Sequence, residues 1–346
     1  MPSSVGTIYF YIHLVTEVLC FYFLSLVVGD SFTLWLIPFL YDILAFVPQL
    51  LFGYISDQNP RIPFGLIGIV SMVLGLTLFS LTEISVFIPL IFITLGNACV
   101  HIDGAETTLR SSHGRIAPAA IFVAGGSFGV ALGKLLSGLA PFWFIIFLAL
   151  SAIPFIIFGS RIRKSTERTP SSCKAFSFAN TSISLPLFIL LVSLVVVIRG
   201  FVGYGIPTSW NKSTLEMLIF YFSMGIGKGL GGILVDRIGI RKTAFLSTIV
   251  AIPFLLFGDH IMYVSIIGIA LFSMAMAITL ALLVSRMPRY PGVAFGITTT
   301  ALTLGTLPIF FFRPEGFLMN ALIITISSII CLLILIKTTK RNAHHA

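Results

Sequence analysis

Gly232-Ile-Leu-Val-Asp236-Arg237-Ile-Gly239-Ile-Arg241-Lys242 closes one apolar block of the chain, and Gly53-Tyr-Ile-Ser-Asp57-Gln-Asn-Pro-Arg61 closes another. Gly53 lies 179 residues before Gly232, and Asp57 lies 179 before Asp236. Two short polar loops matched in register mark an internal repeat. A glycine at the end of a membrane helix lets a neighbouring backbone come close. An aspartate four residues on can accept hydrogen bonds from the free N–H groups of a helix N-terminus, or pair with loop arginines.

The blocks that these loops close are apolar enough to name their solvent. Of 346 residues, 57% are apolar and 10% charged, with a mean hydropathy of +1.07. Soluble domains carry about 25% charged residues, so the solvent is a bilayer. Lipid admits only helices or closed barrels, and barrel strands would alternate apolar and polar residues over about ten positions. The blocks are instead roughly twenty residues long, one helical crossing each. Spans are expected at about 7–29, 33–56, 62–81, 85–103, 116–137, 141–160, 183–205, 213–234, 243–258, 260–285, 291–312 and 316–336. This is an all-α integral membrane protein of twelve helices.

The net charge of +9 reports orientation, not a nucleic-acid partner. Among the basic residues, only Lys212 and Arg313 fall in outer loops and only Lys134, Arg199 and Lys228 within spans. The rest crowd the inner loops and the C-terminus, which is the positive-inside pattern. Both termini are then cytoplasmic, and Trp35, Trp143 and Trp210 fall at the outer interface, where aromatic belts form. Residues 1–60 hold no Lys or Arg, so no cleavable signal is expected. Cys20, Cys99, Cys173 and Cys331 lack metal or redox spacing and read as free thiols. The polar stretch 161–182 is a cytoplasmic linker between six-helix bundles over 1–160 and 183–346.

The 232–242 loop resembles the signature that marks the loops after spans two and eight of the major facilitator superfamily. The copy at 53–61 is degenerate, with Asn59 and Pro60 interrupting it. Within that superfamily, His13-Leu-Val-Thr-Glu17, Gln49-Leu-Leu-Phe-Gly53 and His101-Ile-Asp-Gly104-Ala resemble the fosmidomycin-resistance branch. Thr16, Glu17, Leu50 and Ile102 depart from that branch's pattern. The resemblance implies two pseudo-symmetric six-helix bundles and alternating access, in a monomer of a prokaryotic inner membrane. It further implies proton-coupled export of a small drug-like or anionic compound, with uptake of a sugar or organic acid as the other direction. No enzyme activity, cofactor or metal is expected. The remaining class is a membrane-embedded enzyme centred on His101 and Asp103.

Ionisable groups inside a bilayer are expensive, so each is a functional candidate. His13 and Glu17 share one helix face at i and i+4. Asp42, in a span running the other way, is expected at a similar depth. Glu17, Asp42 and His13 are the candidate proton-coupling set, and Glu17, Asp42 and Arg199 the candidate substrate contacts, since guanidinium binds oxyanions bidentately. His101, Asp103 and Glu106 are expected at the inner end of span four as a gating network. Gating is also assigned to Gly53, Asp57, Arg61, Gly232, Asp236, Arg237, Gly239, Arg241 and Lys242. Gly125, Gly129, Gly133 and Gly138, at helical spacing in span five, and Gly225 and Gly229 in span eight are expected to pack against other backbones. The span-five glycines resemble the antiporter signature and favour export.

Overall fold

Apolar chain with no water beside it must close its own backbone hydrogen bonds. In the computed structural model, which describes residues 2–28, 33–81, 84–167, 172–312 and 314–340, it does so almost wholly as helix. Among the described residues, eleven helices are long and apolar enough to cross a membrane, and one shorter apolar helix joins them. In chain order the first six are α1 (Ser4–Val27), α2 (Trp35–Gln58), α3 (Phe64–Phe79), α4 (Phe87–Ser111), α5 (Ala117–Leu136) and α6 (Phe142–Ile162). The second six are α7 (Leu185–Gly203), α8 (Thr214–Ile238), α9 (Ile240–Phe257), α10 (Met262–Arg286), α11 (Pro291–Phe310) and α12 (Phe317–Thr338).

The largest departure from expectation is α4, which runs to Ser111 and not to about residue 103. The stretch from Gly96 to Leu109 is polar in sequence yet buried throughout. It faces protein on every side, so hydropathy ended the span too early. His101, Asp103 and Glu106 therefore lie inside the helix and not at its mouth.

Four spans are interrupted. α2 breaks at Val47, before Pro48, whose ring cannot continue the backbone ladder. α6 breaks at Ser151–Ala152 and α10 at Met274, while α9 carries a π-helical turn at Leu246–Val250. Such breaks leave carbonyl oxygens in need of partners.

The halves meet along two helix pairs, α5 with α8 and α2 with α11. The linker docks back onto the second half. Ala179 pairs with Thr339, the Asn180 amide donates to the Thr338 carbonyl at 2.7 Å, and Arg286 donates to the Asn180 and Ile183 carbonyls. Linker residues 168–171 lie outside the described residues.

The span-five glycines set the tightest packing in the first half. Gly125, Gly129 and Gly133 lie against the carbonyls of Phe10, Leu14 and Val18, one helical turn apart on α1. Gly138 does not join them, since a Cβ there would meet nothing nearer than 4.0 Å. In α8, Gly225 and Gly229 face α5, where a Cβ at Gly225 would strike the Phe128 ring and one at Gly229 would make ordinary contact with the Ala124 side chain. Gly227 and Gly231 form a second face, against Ala270 and Met274 of α10. Of the tryptophans, Trp35 and Trp143 are exposed, whereas Trp210 is buried in the second half.

Candidate functional site

Midway along α1, Glu17 is 5% exposed and gathers partners from two other helices. Asn97 Nδ2 of α4 donates to Glu17 Oε1 at 2.8 Å, and the Tyr41 hydroxyl of α2 donates to Oε2 at 3.3 Å. His13 Nε2 and His101 Nε2 each lie 3.6 Å from Oε1. Spacing i, i+4 brings His13 to Glu17, and the lengthened α4 brings His101 there. His101 is thus at the centre and not in a gate at the inner mouth. Asn97, Tyr41 and His101 were not read from sequence as Glu17's partners, because nothing local ties α2 and α4 to α1.

The hydrogen bonds fix the chemistry of this cluster. His13 Nδ1 meets the Phe122 carbonyl at 2.8 Å, and His101 Nδ1 meets the Asn97 carbonyl at 3.0 Å. A carbonyl only accepts, so both Nδ1 atoms carry the hydrogen. Each neutral ring then presents its Nε2 lone pair to the same carboxylate oxygen. Two lone pairs and a carboxylate repel unless a cation sits among them. One proton, on the carboxyl or on either ring, resolves the conflict.

These three atoms lie within 4.8 Å of one another, which is also spacing that could hold a metal ion. Lys228 of α8, however, lies close enough to interact electrostatically with Glu17 and His101. A dication would sit beside this fixed positive charge, whereas a proton adds a single charge. The donor set fits a proton better.

Asp42 does not join the cluster. Its Oδ2 accepts from Thr306 of α11 at 3.3 Å, so it faces the other half from a point nearer the tryptophan end of α2. Lys228 likewise crosses between halves, donating to Ser127 Oγ of α5 at 2.9 Å. It reaches neither the membrane surface nor a carboxylate. Nearer the tryptophan end, Lys134 Nζ donates to the Tyr221 hydroxyl at 3.0 Å and packs over the Phe21 and Tyr221 rings.

At the basic end, the repeated aspartates do the same thing twice. Asp57 accepts from the amides of Gly292 (3.1 Å) and Val293 (2.9 Å) at the N-terminus of α11. Asp236 accepts from the amides of Ile116 and Ala117 at the N-terminus of α5, both at 2.9 Å. Each carboxylate therefore caps a helix of the opposite half, where orphan donors and the helix dipole favour negative charge. Gly53 and Gly232 permit the approach: a Cβ at Gly53 would strike the Gly292 carbonyl, and one at Gly232 would strike Ala120. The first latch is reinforced by Arg110, 3.0 Å from Asp57 and 4.0 Å from Glu106. Gly239, with φ 85°, makes the turn into α9. Arg241 donates to the Thr339 carbonyl, while Arg61, Arg237 and Lys242 are exposed. Asp103 turns inward, accepting from the Tyr9 hydroxyl at 2.8 Å.

Arg199 is 9% exposed and lies inside the second half. It donates to the Phe272 and Ser247 carbonyls and packs its guanidinium 3.9 Å over the Phe272 ring. Ser247 lies in the π-helical turn of α9 and Phe272 just before the break in α10. Arg199 thus bonds to carbonyls of two distorted helices and does not face the interface between halves. Arg199→Ala is expected to destabilise the protein by about 1.5–3 kcal/mol, the worth of hydrogen bonds from a charged donor. A lowered melting temperature with cargo affinity unchanged checks this.

No protein-family profile matches the chain. It is 24% identical over 302 residues to the uncharacterized MFS-type transporter YfnC of Bacillus subtilis (strain 168), an overlap of 77% of this chain and 73% of that one. The human organic anion transporter MFSD10 (TETRAN) superposes with a TM-score of 0.64 at 16% identity, over 96% of this chain and 98% of that chain. The major facilitator superfamily transporter FucP, in the outward conformation, superposes with a TM-score of 0.60 at 13% identity, over 97% and 98%. The chain is a multi-pass membrane protein with the twelve-helix, two-lobed fold of the major facilitator superfamily.

Proposed function

We propose that this chain is a secondary active transporter that exports a small drug-like or anionic compound in exchange for protons, by rocking its two halves about a central site. The observation that carries this reading is Glu17, a carboxylate at mid-membrane facing two imidazole lone pairs and buried among helices of the first half. Such a group takes up and gives back a proton at low cost in structure. The paired Asp57 and Asp236 latches supply the moving part. They join the halves at the basic end, which is cytoplasmic by the positive-inside rule, and their release would open the site there. Asp42, held by Thr306 across the interface, is a second proton-coupling group. Likeness to an organic anion transporter supports an anionic cargo, and the α5 glycines support export of the kind seen in the fosmidomycin-resistance branch. The protein acts as a monomer in a prokaryotic cell membrane, with both termini cytoplasmic.

An enzyme centred on His101 and Asp103 finds no support, since His101 faces Glu17 while Asp103 bonds to Tyr9. The test is substrate-dependent proton flux in sealed proteoliposomes, screened across phosphonates, sugars and lipophilic drugs. Proton movement only with cargo, and only in sealed vesicles, is the expected result. Chemical conversion of a compound in detergent, with no flux, would replace the transporter with an enzyme.

A further inference from the structure

Among the described residues, Lys228 is a cation at the interface between halves that the coupling scheme leaves unused, deeper in the membrane than Lys134. Its ammonium has three hydrogens, yet Ser127 is its sole hydrogen-bond partner among the described residues. No carboxylate lies within 4.0 Å of it. Ser127 follows Gly126, against which the His13 ring packs. Lys228 from the second half and His13, the neighbour of Glu17, therefore lie against adjacent residues of α5, Ser127 and Gly126. Lys228 and Glu17 interact electrostatically without pairing. Aromatic rings of the two halves also meet beside α5, at Phe122 and Phe128. Phe128 lies 4.8 Å from Phe222, Phe122 lies 6.2 Å from Phe295, and Phe46 lies 6.2 Å from His101.

Linkage then limits the cargo. Exchange requires that proton and cargo exclude each other. A purely anionic cargo would bind better once Glu17 is protonated, because a negative charge beside it is removed. That couples the two in the same direction. Only a cargo that places a cationic group on Glu17 displaces the proton. The anion contact, meanwhile, is Lys228, whose hydroxyl partner is weaker than a carboxylate. We propose that the cargo is an aromatic zwitterion, its cationic group held by Glu17 and its anionic group by Lys228, so that it bridges the two halves.

This rests on the proton-exchange reading and narrows its cargo, since a purely anionic compound would move with the proton and not against it. The test uses a matched set: phenylalanine, phenethylamine (cation only) and 3-phenylpropionate (anion only). Binding to the purified full chain is measured by calorimetry. Phenylalanine is expected to bind about tenfold or more tightly than either analogue, the worth of one charge-assisted contact. Lys228→Met should bring phenylalanine to the phenethylamine level, Lys228→Arg should restore it, and Glu17→Gln should bring it to the 3-phenylpropionate level. Unchanged elution and melting confirm that the variants fold. Equal binding of a singly charged analogue, indifference to Lys228→Met, or binding of none of the three overturns the assignment. Cargo-driven proton flux that depends on Glu17 would survive that failure, whereas its absence would remove the exchange reading itself.

Discussion

Glu17→Gln is expected to abolish proton-driven transport while leaving the fold intact. Glutamine keeps the length of the side chain and, with its amide nitrogen in the place of Oε1, an oxygen for the Tyr41 donor, while Asn97 gives up its acceptor there. Its amide can donate to an imidazole lone pair, so the cluster loses its conflict without a buried charge. What disappears is the proton site that couples the two movements. A coupling energy of a few kcal/mol corresponds to a loss of about 100-fold in gradient-driven flux. Exchange of cargo across equal pH should persist. Proteoliposomes carrying a trapped pH dye measure both, and full gradient-driven flux in the variant contradicts the assignment of Glu17.

Gly53→Val is the second large effect, and it acts on the moving part. A Cβ at residue 53 enters the carbonyl of Gly292, which is backbone and cannot turn aside. The latch then cannot seat, and Asp57 loses the Gly292 and Val293 amides together. Two charge-assisted bonds at a helix N-terminus are worth about 1–3 kcal/mol, enough to move a balanced equilibrium mostly to the open form. Thr299 reports the change. It is 3% exposed, with its hydroxyl donating to the Phe46 carbonyl across the interface. In a cysteine-free background, Thr299→Cys should be alkylated about tenfold or more faster when Gly53 is valine, following that shift. Equal labelling would show that Gly53 does not set closure.

The sequence made the repeat legible because Gly53, Asp57, Gly232 and Asp236 act locally, each at the end of its own helix. Their chemistry, glycine for approach and aspartate for helix N-termini, follows from residue type alone. His13 beside Glu17 was legible for the same reason. Partners from other helices were not. Asn97 and His101 sit in a polar run that hydropathy places outside the membrane, because the scale assumes lipid where there is protein. Arg199 misled for a related reason. A lone arginine in a span invites a ligand, yet one guanidinium nitrogen of Arg199 is taken up by carbonyls of the broken helices α9 and α10, and such breaks carry little signal beyond the prolines.

On the proposed exchange, closure at the basic end and protonation at Glu17 are one equilibrium. The enclosed arrangement keeps water from the Glu17 carboxylate, whose imidazole partners stay with it in the first half. It therefore binds a proton more tightly than an opened one in which water solvates the charge, even with Lys228 nearby. The closed form must then gain as pH falls. Spin labels at residues 61 and 289, both exposed at the basic end on opposite halves, report this directly. At about pH 5.5 the short distance should dominate, and at about pH 8 a longer population should appear, with Glu17→Gln removing the dependence. A wild-type distance distribution identical at both pH values would contradict the account.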